Sequence, residues 1–261
     1  AEAIKKKLPF AKRCVWFFGC QLCSVLAEKW IMVSECARNT YANFFPMAKG
    51  KMVVIYNASL KPNVFLNRKG KWRPLNLRER LRLVICGRLR YEKGFDIAIK
   101  ACHLLQKQMY SVELMVVGDG PLRDELETEA KSCLKAGTYQ FLGERNNVRD
   151  LMEKCNFYWH PSRWDGLPTT LIEALSVGLP CVAFACKCGP EEILRESPAG
   201  RLLYGSCMSA EGLADATLSF VEEIKDEESV RRAARERAKK FSASAAGDRF
   251  ESVLEYCSHV L

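Results

Sequence analysis

The run from Phe157 to Phe184 constrains the fold of this chain more than any other stretch. Phe157-Tyr158-Trp159 reads as a buried strand. Gly166 and Pro168 mark a tight turn, and Thr169 through Val177 has the periodicity of a short helix. Gly178 falls in the C′ position that ends a helix, and Pro180-Cys181-Val182-Ala183-Phe184 begins another strand. A strand–loop–helix–strand unit of this kind predicts an α/β fold. It puts Asp165 in the loop beyond the strand's carboxyl end, where open α/β sheets bind ligands. The first-turn amides of the helix (Thr169, Thr170, Leu171) are donors suited to a phosphate. Glu173, one turn further in, is an acceptor suited to a sugar hydroxyl. On this segment alone, Asp165 as a helix-capping acid with Glu173 on a solvated face stays open as the plainer reading.

A second unit precedes it. Leu81-Arg82-Leu83-Val84-Ile85-Cys86 is a short buried strand, followed by Gly87-Arg88-Leu89-Arg90-Tyr91-Glu92-Lys93-Gly94 and a helix predicted from Phe95 to about Gln108. Alone, Arg88 and Lys93 would be ordinary surface cations. At a strand end and a helix start, two fixed cations can also neutralise charge growing on a departing diphosphate. Val112 through Val117 is another strand, ending in Gly118-Asp119-Gly120-Pro121 and a charged helix from about Leu122. This Gly-x-Gly lacks a third glycine and follows the second strand of its region rather than the first, so it is a weak dinucleotide signal. Tyr139-Gln140-Phe141-Leu142-Gly143-Glu144-Arg145 follows.

Together these segments resemble the retaining glycosyltransferases of the two-domain GT-B fold, specifically glycosyltransferase family 4. The family's acid-x7-acid pattern is matched by Asp165 and Glu173, the latter followed by Ala174. The first acid is Asp here rather than the usual Glu, which keeps the charge and gives up one methylene of reach. The family's Gly-Arg-(four residues)-Lys-Gly is matched in full by Gly87-Arg88 and Lys93-Gly94. The resemblance implies that Arg88 and Lys93 stabilise the leaving diphosphate and that Asp165 orients the sugar. It further implies that amides after Gly166 bind phosphate, in the nucleotide-sugar loop Leu167-Pro168-Thr169-Thr170, and that Glu173 binds the ribose. Gly87 and Gly118 would line the nucleotide cleft, with Glu144 and Arg145 over the base. Cys188-Gly189-Pro190-Glu191-Glu192-Ile193-Leu194 resembles a further family loop, with a plain turn and capped helix as the equal alternative.

The same resemblance predicts a Rossmann-like, doubly wound parallel sheet. It divides the chain into the tail of an acceptor domain over 1–45 and a crossing segment and linker over 46–80. The nucleotide-sugar domain then covers 81–240 and a crossover helix 241–261. Ala27-Glu28-Lys29-Trp30-Ile31-Met32-Val33-Ser34-Glu35 is similar to the last strand of the family's N-terminal domain and its Val-Ser turn. Met52 through Ala58 is similar to the crossing strand. The larger part of the acceptor domain would then precede Ala1, leaving this chain inactive in transfer by itself. The last helix, predicted from about Ser242 to Val260, carries Phe250, Val253, Leu254 and Cys257 on one face.

Composition narrows the class. Hydrophobic residues make up 48% and charged residues 27%, as in a globular chain with a sizeable core. No apolar stretch approaches the roughly 18–20 residues that cross a bilayer. The most apolar run, Cys14 to Ala27, contains Gln21, reads as a buried helix, and lacks a signal-peptide cleavage pattern. Thirteen cysteines are scattered, Cys20-x2-Cys23 has no second pair, and His103, His160 and His259 are far apart. This argues against a metal site and for free thiols in a reducing cytoplasm. His160 reads as a core or cleft-wall histidine more readily than a catalytic one. No Asp-x-Asp pair occurs, so no cofactor is expected beyond the nucleotide-diphosphate sugar as donor substrate.

Residues 1–80 hold 16 Lys+Arg against 4 Asp+Glu, a net +12, which leaves −3 of the chain's +9 for the rest. A basic end suits an anionic lipid surface, an acidic acceptor, nucleic acid, or simple solubility. No finger, recognition helix or aromatic–basic repeat supports nucleic acid. The expected partners are therefore a nucleotide sugar and a saccharide or lipid-linked acceptor, with peripheral contact at the cytoplasmic membrane face. Rival readings are a sugar-nucleotide epimerase or disaccharide phosphorylase of the same fold, and a non-catalytic nucleotide-sugar-binding module.

Overall fold

A computed structural model of the chain describes residues 18–23, 25–60, 80–108, 110–186 and 188–258, in two units: 1–57 with 246–261, and 58–245. Of the expected crossing segment and linker over 46–80, residues 61–79 lie outside the described residues.

In the first unit, β1 (Trp30–Met32) leads into Ser34. The Ser34 hydroxyl accepts from the Ala37 amide at 3.0 Å and so caps α1 (Glu35–Phe44). After a 3-10 turn, β2 (Met52–Val54) pairs parallel to β1, with Trp30 opposite Met52. Phe45, Ala48 and Met52 form a small core under Trp30, Met32 and Tyr41. The apolar run expected as a buried helix is helical where described. However, Phe18, Leu22, Val25 and Leu26 are 50–71% exposed, so its apolar side lies open rather than buried.

The second unit is an alternation of strands and helices. In chain order these are β3 (Leu81–Cys86), α2 (Phe95–Lys107), β4 (Val112–Val117), α3 (Arg123–Cys133), β5 (Tyr139–Phe141), α4 (Val148–Met152) and β6 (Phe157–His160). There follow α5 (Thr169–Ser176), β7 (Cys181–Phe184), α6 (Pro190–Leu194), β8 (Gly200–Leu203), α7 (Ala210–Glu223) and α8 (Glu227–Lys239). All six strands are parallel, in the order β5-β4-β3-β6-β7-β8. Counted from β3, this is the doubly wound order 3-2-1-4-5-6, as expected from the sequence. Its reversal falls between β3 and β6, where the two chain directions of winding leave a crevice at the strands' carboxyl ends.

Both sheet faces are covered, which is why these strands read as continuous apolar runs. Leu83, Ile85, Phe157 and Trp159 face α2 and α7, in a core with Phe95, Ile99, Leu105 and Phe220. Trp159 Nε1 donates to Thr217 Oγ1 at 2.9 Å, satisfying its one polar atom. The strand's period of two turns Tyr158 and His160 to the opposite face, toward α5. Gly178 adopts φ +79° and ends α5 as expected. The last helix, α9 (Ala243–Ser258), spans the division between the two units. It leaves Phe250 and Leu254 exposed and Val253 and Cys257 half-buried. Its predicted end at Val260 lies outside the described residues.

Ten described cysteines are free thiols. Cys36 and Cys188 are each in a disulfide, an exception to the all-thiol expectation. Among the described residues no helix is long and apolar enough to cross a membrane.

Candidate functional site

The loops after β3, β4 and β6 meet at the switch point. Gly87 (φ +152°) and Gly118 (φ +127°) stand back to back, and a Cβ on Gly118 would lie 1.9 Å from the Gly87 carbonyl oxygen. Only glycine permits both the backbone angles and that approach. The loops are joined by backbone bonds from Gly87 N to Val117 O (3.0 Å) and from Leu89 N to Asp119 O (2.9 Å). Beyond them opens a cleft of about 690 Å³. Of the sequence-predicted residues, Gly87, Arg88, Gly118, Glu144, Arg145, Thr170 and Glu173 line it together.

The β3 loop continues through a 3-10 turn at Tyr91–Lys93 to Gly94, whose left-handed angles start α2. Arg163 then clamps this loop to the one after β6. It donates to both carboxylate oxygens of Asp96 (2.9 and 2.6 Å) and to Tyr91 O (2.7 Å), and its guanidinium lies 4.0 Å from the Tyr91 ring centre. A bidentate pair of this kind fixes orientation as well as distance.

Lys93 and Asp165 lie outside the cleft lining and pair with each other. Lys93 Nζ donates to Asp165 Oδ2 at 2.6 Å, and the Gly166 amide donates to Oδ1 at 2.9 Å. His160 Nε2 lies 3.3 Å from the same Oδ2. Burial alone would push the Asp165 carboxyl up, but the His160 ring and the Lys93 ammonium beside it outweigh this and hold it down at about 2. Burial is likewise the largest influence on His160 and lowers its pKa, with Asp165 acting against it. Glu173 behaves differently: burial raises its pKa, and Arg149 only partly offsets this. A half-buried carboxylate whose own protein gives it so little compensation is disposed to accept a hydrogen bond from a ligand hydroxyl.

The start of α5 has no side-chain cap, so its first-turn amides point outward without a competing hydroxyl. Pro168 occupies the N-cap position and is buried. A Cβ on Gly189 would meet Gly166 O at 1.8 Å and Pro168 Cδ at 2.7 Å, so the loop before α6 packs directly on the loop before α5. This gives Gly189-Pro190 a structural part. Gly166, Leu167, Pro168 and Thr169 lie outside the cleft lining, unlike Thr170. Cys86, Val117, Asp119, Gly120, Asn146 and Val148 also line the cleft, beyond the site residues named from the sequence, and the contact between His160 and Asp165 was not foreseen. Asp119, Gly120 and Asn146 adjoin the named loop residues, whereas Val148 carries no local signal.

Residues 68–238 match the family described as Glycosyl transferases group 1. The chain is 28% identical over 174 residues to the amylovoran biosynthesis glycosyltransferase AmsD of Erwinia amylovora, covering 67% of this chain and 48% of that protein. It is 29% identical over 190 residues to an uncharacterized glycosyltransferase of Haemophilus influenzae, covering 73% and 51%. The chain thus spans about half the length of these curated relatives. The crystal structure of Anabaena HepE in complex with UDP shares the fold at a TM-score of 0.73 and 21% identity, over 90% of this chain and 65% of that one.

Proposed function

The chain belongs to the glycosyl transferases group 1 family, and from that premise we propose that it is the donor-binding part of a glycosyltransferase that takes a sugar from a nucleoside diphosphate. One observation carries this reading. The switch-point cleft brings Arg88, an uncapped helix start at Thr170 and the poorly compensated acid Glu173 to one wall, with the Glu144–Asn146 loop beside them. Cations and bare amides suit phosphates, and an acceptor one helical turn away suits a ribose.

In this reading Arg88 and the α5 amides hold the diphosphate, Glu173 accepts from the ribose, and the Glu144–Arg145 loop covers the base. Lys93 and Asp165 work as a pair. An incoming second phosphate competes with Asp165 for the Lys93 ammonium, and the released carboxylate oxygen becomes an acceptor for the sugar. Arg88 and Lys93 stabilise the charge that grows on the leaving diphosphate. Transfer proceeds with retention of configuration to a saccharide or lipid-linked acceptor at the cytoplasmic membrane face. The retaining outcome is what the acid-x7-acid pattern implies. Acceptor-dependent transfer needs residues from a second wall, because closure of a crevice brings both substrates within reach and excludes water.

The test is a thermal-shift and calorimetric panel of UDP, GDP, ADP and their glucose conjugates. UDP is the first to try, since HepE was crystallised with it. Saturable binding of one nucleoside diphosphate is the expected result. No binding by any of them at millimolar concentration would overturn the assignment.

A further inference from the structure

His160 ends β6 on the face that looks toward α5, and it is 3% exposed. Its two ring nitrogens serve two different parts of the site. Nε2 approaches Asp165 Oδ2 at 3.3 Å, outside strict hydrogen-bond alignment, and has no other polar partner among the described residues. Nδ1 lies 3.4 Å from the hydroxyl of Tyr158, which lies 2.7 Å from Thr170 Oγ1. Thr170 lines the cleft, and Asp165 carries Lys93. A buried polar chain therefore runs from the first turn of α5 through Tyr158 and His160 to Asp165.

We propose that His160 is a positioning residue: it holds the Asp165 carboxylate on one side and, through Tyr158, Thr170 on the other. The acid beside the sugar and the helix that meets the phosphates are thereby set as one unit. The proposal rests on the donor-site reading of Asp165 and Thr170 given above.

The contact with Asp165 selects the tautomer. A neutral imidazole has one N–H, and burial keeps His160 neutral. With that proton on Nε2, His160 donates toward the carboxylate. Nδ1 is then an acceptor facing the Tyr158 hydroxyl, which also has Thr170 Oγ1 at 2.7 Å and the Cys86 carbonyl at 3.4 Å. With the proton on Nδ1, the Nε2 lone pair would face a carboxylate at 3.3 Å, which is repulsive. The charged groups acting on the ring are Asp165 and Lys93, and neither is displaced by this choice.

Two measurements test this. In nitrogen-15 spectra of the ligand-free protein, His160 is expected as the neutral Nε2–H tautomer, and Asp165→Asn should shift its Nε2 resonance. A Nδ1–H tautomer indifferent to Asp165→Asn would overturn the proposal. Calorimetry with UDP and UDP-glucose on the wild type, His160→Phe and His160→Gln supplies the second arm. His160→Phe should lose about tenfold more affinity for UDP-glucose than for UDP. His160→Gln, which keeps a donor for Asp165, should fall between it and the wild type. Unchanged affinity for UDP would overturn the link through Tyr158 to Thr170, and equal losses for both ligands would overturn the link to Asp165. Failure of the donor reading shows separately, in the wild-type titration, and the tautomer measurement decides the proposal in either event.

Discussion

Lys93 Nζ and Asp165 Oδ2 meet at 2.6 Å across a sequence separation of 72 residues. The contact joins the loop after β3 to the loop after β6, the two strands between which the sheet reverses its winding. It ties the Asp165 carboxylate to the Lys93 ammonium, so substitutions at either end report on the same element.

Asp165 supplies stability that depends on pH. Its folded pKa lies near about 2, below the ordinary 3.8. The stabilisation is therefore complete above about 4 and is lost as pH falls toward 2, amounting to about 2 kcal/mol. Urea unfolding of the wild type and Asp165→Asn from pH 3 to pH 7 should show a constant gap above pH 5 that narrows below pH 4. His160, with a lowered pKa, weakens the fold as pH falls below about 6.5, since its neutral form is the one the fold favours. A gap that stayed constant to pH 3 would show that the Asp165 carboxylate gains nothing from its partners.

Asp165→Asn and Glu173→Gln should separate by ligand. The first is expected to weaken nucleotide-sugar binding while leaving the bare nucleotide nearly unchanged. The second should weaken both, because the ribose is common to them. Glu173→Gln should also raise the melting temperature at pH 7. An acid with a raised folded pKa costs stability once pH exceeds that value, and the amide removes the cost. Scanning calorimetry beside titration calorimetry checks both halves; a lower melting temperature with unchanged affinity would place Glu173 in a structural role.

Glycines at the site differ sharply in what they tolerate. Gly118→Ala forces a Cβ to 1.9 Å from the Gly87 carbonyl at φ +127°, and should cost on the order of 3 kcal/mol. Gly189→Ala meets Gly166 O at 1.8 Å and should be comparably damaging. Gly166→Ala, inside the acidic motif itself, has nothing within 4 Å of its Cβ and no positive φ, so its unfolding midpoint should barely move. Equal losses at all three positions would contradict this ranking.

What the sequence revealed follows from range. β6 and β7 are fully buried runs, β3 and β4 are buried apolar runs broken only by half-buried Arg82 and Glu113, and each shows in its own few residues. Helix α5 was bracketed by Pro168 and Gly178, and the placement of both motif loops at strand ends followed from those elements. The pairing of Lys93 with Asp165, the clamp of Arg163 on Asp96 and the approach of His160 to Asp165 join distant loops, and no local pattern encodes them. The run from Cys14 to Ala27 misled for a related reason: apolar periodicity shows that a helix has a hydrophobic side, not that this unit covers it.

The claim that carries most of this account is that the switch-point cleft grips a diphosphate through Arg88. Isothermal titration of the wild type and Arg88→Ala with UDP and UMP tests it directly. A charge-assisted contact of about 1.5–3 kcal/mol predicts a loss of roughly ten- to a hundredfold for UDP in the variant, with UMP little changed. Equal losses for the two nucleotides, or none for either, would mean that Arg88 does not meet the second phosphate.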